Sequence, residues 1–183
     1  MLLIQSKTAI GWRAMKAGGK QFGDDTPVTL NPRLIENLIL GNSKINPKDE
    51  AALTNKILDF TQEIGGLAAD QVSKKSEKIL IYTEVEDGTN EADIIYDEGS
   101  GVARFEFCNK LLRSKICQFW EYWRTTPGNR EWRAMEYVII DGNFTIDLFY
   151  PDQLDPDEAA FDRRRVSIKK HFGDMKVDYS RPE

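Results

Sequence analysis

Residues 132–171 constrain the fold more than any other part of the chain. Apolar and polar residues alternate up to Ile140, and the alternation resumes at Asn143 after an Asp-Gly pair. Asp-Gly between two alternating runs predicts a β-hairpin, because glycine accepts the positive φ that a type I′ turn requires. We therefore expect two antiparallel strands joined by a two-residue turn at Asp141-Gly142.

A two-residue turn also fixes which residues face each other across the hairpin. One face is then apolar, and on the other face Glu136 pairs with Asp147. Carboxylates directly across a ladder repel each other, so we expect a cation between them. It comes either from this chain, with Arg104 or Arg133 as candidates, or from a bound partner beside Phe149. A metal ion would lack a third ligand there.

A helix is predicted after the hairpin. Asp155 is a natural N-cap, Pro156 presets the first-turn φ, and Glu158 stands at the capping-box position. Gly173 is a plausible helix stop. The apolar face of this helix consists of Phe161, Ile168 and Phe172.

The preceding part of the chain predicts two more helices and three more strands. Alternating runs at residues 79–85, 92–96 and 102–107 are separated by short polar turns, which is typical of an antiparallel meander. Helical spacing predicts an amphipathic helix starting at Asn46-Pro47, with its pattern weakened at Gly65-Gly66. A second predicted helix, with the meander before it and the hairpin after it, buries an apolar stripe made of Leu112, Ile116, Phe119, Trp120 and Trp123.

The predicted fold class is α+β. It contains a single antiparallel sheet of about five strands, an N-terminal helix, a helix inserted between strands three and four, and a C-terminal helix. We expect the helices to pack on one face of the sheet or at its ends. Residues 1–46 are interpreted as an N-terminal extension, and residues 47–183 as one domain.

Composition and motifs argue against several functions. The chain has no apolar run long enough to span a membrane, and its first residues do not form a secretory signal, so we expect a cytoplasmic protein. Cys108 and Cys117 lack metal-ligand spacing and are expected to be reduced. No catalytic motif is present apart from Asp152 and Asp174-Met175-Lys176, whose nuclease-like pattern is interrupted by a helix. We expect no enzyme, no cofactor and no bound metal.

Charge is distributed unevenly along the chain, whose net charge is −5. Residues 80–107 carry eight acids and one arginine, and residues 141–162 carry seven acids and no base. Residues 163–183 carry seven bases and three acids. The acidic segments argue against nucleic-acid binding and permit a basic partner, although acid-rich turns that only keep the chain in solution explain the charge equally well.

Several stretches resemble the YezG-like family of bacterial immunity proteins over about residues 50–175. The resemblance begins with the amphipathic helix and continues through the acid-rich turn that follows the first strand. The stretches that carry it are Ile79 to Val85, Asp93-Ile-Ile-Tyr96, Trp132, Asp141-Gly-Asn-Phe144, Asp147-Leu-Phe-Tyr150 and Arg163-Arg164-Arg165.

This resemblance implies a non-catalytic antitoxin that binds and neutralises a cognate secreted toxin, often a nuclease, through an acidic and aromatic surface. The alternative is an adaptor or a small-ligand domain, which would show a concave apolar pocket with a few converging polar groups. Oligomeric state is left open. The candidate partner-binding residues are Glu84, Glu86, Asp87, Glu91, Asp93, Asp97, Glu98, Glu136, Asp147, Phe149, Asp152 and Asp155.

Overall fold

Three helices and one six-stranded sheet form the part of the chain that the computed structural model describes, which is residues 47–72, 76–86 and 89–180. The α+β class is confirmed, and the proposed extension at residues 1–46 lies outside the described residues. In chain order the elements are α1 (Pro47–Gln71), β1 (Lys78–Glu86), β2 (Thr89–Asp97), β3 (Val102–Phe107), α2 (Lys110–Thr125), β4 (Ala134–Ile140), β5 (Asn143–Phe149), a short 3-10 helix (Pro151–Gln153), α3 (Ala160–Phe172) and β6 (Lys176–Asp178).

The strands lie in the order β5-β4-β1-β2-β3-β6. All neighbours are antiparallel except β3 and β6, which run parallel. The expectation of a purely antiparallel sheet of about five strands is therefore wrong in one respect, because β6 adds a sixth, parallel strand. This strand has only three residues, which is too short for the alternation of apolar and polar residues to reveal it.

The predicted hairpin is confirmed in detail. Asp141 and Gly142 have φ values of 50° and 79°, as the type I′ turn requires. Ile140 pairs with Asn143, and the register continues without a slip to the end of β5. Glu136 therefore faces Asp147, as the sequence predicted.

Helices α1 and α2 cover one face of the sheet with the larger part of the core. The predicted stripe of α2 is buried, and Trp120 Nε1 donates a 3.0 Å hydrogen bond to the carbonyl of Trp132. Helix α1 continues through Gly65-Gly66 and lies close to the sheet. There the Tyr137 hydroxyl donates to the Thr61 carbonyl at 2.8 Å, which ties β4 to α1.

Helix α3 covers the opposite face, so the expectation that all helices share one face or lie at the sheet ends is wrong for this helix. Ile168 and Phe172 pack against a second apolar cluster that includes Leu80, Ile95 and Val138. An apolar helix face alone cannot say which side of a sheet it will cover. Two helices already fill the other side, so α3 has only this one available.

The start of α3 differs from the prediction, while its end agrees. The helix begins at Ala160, and its N-cap Ala159 makes no side-chain cap hydrogen bond. Asp155 instead accepts from the backbone N–H of Asp157 at 2.9 Å and so stabilises the preceding loop. Phe161 is largely exposed rather than part of the core. Gly173 ends the helix with φ 63°, as expected.

Candidate functional site

Three carboxylates from three strands lie beneath α3. The register aligns Glu136 of β4, Tyr82 of β1 and Asp93 of β2 in one row across the sheet. Glu84 lies two residues farther along β1 and faces the same side. The relative exposure of Glu84, Asp93 and Glu136 is 8%, 3% and 5%. Charges buried to this extent require partners.

Basic residues of α3 supply those partners. Arg163 binds Glu84 with both ends of its guanidinium group, through Nε to Oε1 at 2.9 Å and Nη2 to Oε2 at 2.7 Å. Arg164 forms an ion pair with Asp93. The C-terminal end of the helix contacts Glu136. The four basic residues of α3 that bind the sheet are Arg163, Arg164, Lys170 and His171.

Glu136 receives two donors at the C-terminal end of α3. Lys170 Nζ lies 2.7 Å and His171 Nε2 lies 2.8 Å from its Oε2 atom. Lys170 Nζ is also 3.9 Å from Asp147 Oδ2, so a lysine of the chain itself lies between the two facing carboxylates. Of the two sources expected for this cation, the chain itself supplies it, but the named candidates Arg104 and Arg133 were wrong. Arg104 pairs with Glu98 and Asp178, and Arg133 pairs with Glu86.

These contacts shift the acidities of the three carboxyl groups in different ways. Burial opposes ionisation of Glu136, but the hydrogen bonds from His171 and Lys170 outweigh it and lower its pKa to about 2. For Glu84 burial is again opposed, here by Arg163 and the Tyr82 hydroxyl, and the net effect lowers its pKa. Burial prevails at Asp93, whose pKa is raised although Arg164 counteracts the shift.

A second group of acids lies at the end of the sheet where β1 finishes and β2 begins. Glu91 is exposed and is the direct cross-strand neighbour of Glu84. Arg163 connects this row to the loop before α3, because its Nη1 atom donates to the carbonyls of Asp155 and Glu158. We call Glu91, Asp155, Asp157 and Glu158 the acidic end.

The four carboxylates of the acidic end are not neutralised by neighbouring cations in the described structure. Among residues 47–72, 76–86 and 89–180, no lysine, arginine or histidine forms an ion pair with any of them. Phe149 is half-buried and lies in the same cross-strand row as Glu84 and Glu91. Its partner across the ladder is Ala134, and Ala134 faces Glu84. An acidic and partly aromatic surface is therefore present at this end.

The remaining candidate residues are dispersed. Glu86 and Asp152 lie near the acidic end, but each is bound to an arginine at 2.6 Å, Arg133 and Arg130 respectively. Asp97 and Glu98 lie at the opposite end of the sheet, next to the β2–β3 turn. Asp87 falls outside the described residues. The structure thus brings together only part of the predicted surface.

An exposed aromatic cluster beside α3 was not predicted as a site. Phe107, Phe161 and Tyr179 have relative exposures of 71%, 53% and 53%. Phe105 lies between two of them, with ring centroids 5.4 Å from Phe107 and 5.0 Å from Tyr179. The Arg164 guanidinium lies over the rings of Phe105 and Phe161. Alternation in β3 hinted at Phe107, but nothing in the sequence placed Tyr179 next to it.

The role of the basic residues was also missed, although a signal existed. The positive segment at residues 163–183 follows directly after the acidic segment at residues 141–162. This excess of bases on a helix indicates that the helix packs against a sheet face that carries acids. Reading it requires the sheet order, which the sequence does not contain.

Other site types find little support in the described structure. No three potential metal ligands of the His, Cys, Asp and Glu type gather in the part of the chain that is described. Asp152 follows β5 at one end of the sheet, whereas Asp174 follows α3 at the other end, so these two carboxylates do not form a nuclease-like pair. None of the described helices has both the length and the apolar character needed to cross a bilayer.

An open groove runs between α1 and α2. Its volume is about 590 Å³, which is in the range of the pockets that the ligand-binding alternative requires. Its lining includes Phe60, Val85, Cys117, Gln118, Trp120 and Tyr122.

The sequence matches no protein-family model, and it has no significant match among curated proteins.

Proposed function

We propose that this protein is a non-catalytic immunity protein that binds a basic protein toxin, with a nuclease as the expected class. The single observation that supports this most is the acidic end, whose four carboxylates form no ion pair within the described residues and lie at the same end of the sheet as the half-buried Phe149. A nuclease binds phosphates through a basic groove, and an acidic surface complements such a groove.

The ion pairs under α3 narrow down the partner-binding residues. Glu84, Asp93 and Glu136 are buried and bound to the chain's own cations, so a partner could reach them only by displacing α3. We assign these three carboxylates to holding α3 on the sheet. Binding of the toxin is assigned to the exposed acids around them.

Exposed charges of this kind act mainly on the rate of association. They attract a basic partner over a Debye length of about 8 Å at physiological ionic strength, and salt weakens that attraction. Affinity itself requires a desolvated contact, for which the half-buried Phe149 is the candidate. The proposal places the protein in the cytoplasm of the cell that makes the toxin.

Co-purification tests this proposal directly. The tagged full-length chain is expressed together with the product of the gene directly upstream, and we expect a stable complex and protection of the host cell. A triple variant, Glu91→Lys, Asp155→Lys and Asp157→Lys, should lose protection first at low expression levels. A chain that neither binds nor protects against that product contradicts the proposal for this pair.

A matched control uses acids at the other end of the sheet. Glu77 and Asp174 are exposed and lie just before β1 and just after α3. The double variant Glu77→Lys and Asp174→Lys changes the net charge in the same direction but leaves the acidic end intact. It should protect like the unmodified chain, and equal loss in both variants would mean that only net charge matters.

The groove between α1 and α2 favours the alternative of a small-ligand domain. Trp120 is one of its lining residues, so its fluorescence reports on ligand entry. Screening apolar compounds by fluorescence and thermal shift separates the two proposals. A ligand that saturates with a defined dissociation constant, and whose binding is lost in Gln118→Leu, would favour the alternative.

A further inference from the structure

The outer edge of β5 is the longer of the two sheet edges. Strand β5 has seven residues and pairs with β4 on one side only, and no strand among the described residues pairs with its other side. The opposite edge is formed by β6, which has three residues. An edge strand presents unpaired N–H and C=O groups that another strand can bind.

The hydrogen-bond pattern shows which backbone groups face outward. In a hairpin with a two-residue turn, the flanking residues Ile140 and Asn143 bond to each other, so the odd-numbered residues of β4 point their backbone groups towards β1. The even-numbered residues of β4 then bond to β5, where their partners are Asn143, Thr145, Asp147 and Phe149. By elimination, the backbone groups of Phe144, Ile146 and Leu148 point away from the sheet.

The residues of β5 themselves lack the usual features that prevent pairing. Natural edge strands are often short, bulged, or protected by proline or lysine. Within Asn143–Phe149 there is no proline and no lysine, the register with β4 is continuous, and Asp147 is the only charged residue. The residues are mainly apolar or β-branched, which suits a paired strand.

We propose that β5 is an interface at which two copies of this chain pair antiparallel, edge to edge, in a two-fold symmetric dimer. The register that uses all three outward-facing residues places Ile146 opposite its own copy and Phe144 opposite Leu148. It also places Thr145 opposite Asp147 twice, so the hydroxyl meets a carboxylate and the two aspartates avoid each other. The interface is self-complementary, as a two-fold axis requires, and it is independent of the toxin-binding proposal.

Residue-resolved hydrogen exchange of the full chain, at low and high protein concentration, tests the geometry. The amides of Phe144, Ile146 and Leu148 should exchange more slowly at high concentration, in parallel with dimer formation seen by sedimentation. The amides of Thr145 and Asp147 should be slow at both concentrations, because β4 already binds them. A chain that stays monomeric, or in which the three outward amides are slow even as a monomer, overturns the proposal.

A pair of charge variants at one exposed position tests the register. Thr145→Asp places like charges opposite each other twice and should weaken dimerisation by roughly tenfold. Thr145→Lys faces Asp147 with the opposite charge and should dimerise at least as well as the unmodified chain. Position 145 is exposed, so both variants should keep their unfolding midpoint. Equal effects of the two variants would place the interface elsewhere and overturn the proposal.

Discussion

Replacing Arg163 by methionine tests whether α3 is held to the sheet by its ion pairs. Methionine keeps most of the apolar stem and removes the guanidinium, which leaves Glu84 buried without its counter-charge. Breaking a buried ion pair by removing one partner costs about 3–5 kcal/mol. We expect about 3 kcal/mol, near the lower end, because the Tyr82 hydroxyl still donates to Glu84 at 2.6 Å.

Arg165→Met is the matched control on the same helix. Arg165 is 70% exposed, and its nearest carboxylate is Asp162 at 3.6 Å. An exposed pair of this kind is worth less than about 1 kcal/mol, and we expect a loss near the bottom of that range. The same change of side chain thus has a large effect at one position and a small effect two residues away.

Urea unfolding monitored by tryptophan fluorescence is the assay, with the free energy of unfolding taken from the midpoint at constant slope. A double variant, Arg163→Met with Glu84→Gln, should recover most of the loss, because the amide carries no charge and still accepts the Tyr82 hydroxyl. If Arg163→Met loses no more stability than Arg165→Met, the ion pair does not hold α3 and the reasoning fails.

Three further predictions concern stability. The fold lowers the pKa of Glu136 from its ordinary value of 4.5 to about 2, so the stabilisation that its charge contributes is complete above pH 4.5 and should disappear as the pH falls towards 2. The urea midpoint of the unmodified chain should therefore fall across this pH range, and it should fall less steeply with pH in Glu136→Gln. Gly65→Ala should destabilise the fold, because the new Cβ would lie 2.5 Å from the buried Tyr137 hydroxyl. Gly66→Ala meets open space and should stabilise the helix by up to about 1 kcal/mol, so equal shifts of the melting temperature in the two variants would refute the contact. Trp120→Ala should cost about 3–5 kcal/mol in the same unfolding assay, and an unchanged midpoint would show that its ring is not part of the core.

The hairpin and the α2 stripe show what could be predicted from the sequence. Both depend on local patterns, because a two-residue turn fixes the register of its own strands and a helical period fixes its own buried face. The facing pair Glu136 and Asp147 followed from the turn alone, and the structure confirms it.

The ion pairs between α3 and the sheet could not be predicted in the same way. Arg163 and Glu84 are 79 residues apart, and their contact depends on the face of the sheet that α3 covers. The parallel strand β6 depends equally on where the chain goes after α3. Non-local packing of this kind leaves only a weak trace in sequence periodicity, here the change of charge sign at residue 163.

The salt dependence of the association rate is the most direct test of the proposal that the acidic end binds a basic toxin. The rate constant for the purified toxin is measured by stopped-flow fluorescence at increasing ionic strength, for the unmodified chain and for both charge-reversal variants. The variant at Glu91, Asp155 and Asp157 should associate more slowly and show a flatter salt dependence, while the variant at Glu77 and Asp174 should behave like the unmodified chain. Equal rates and equal slopes in all three would contradict the account.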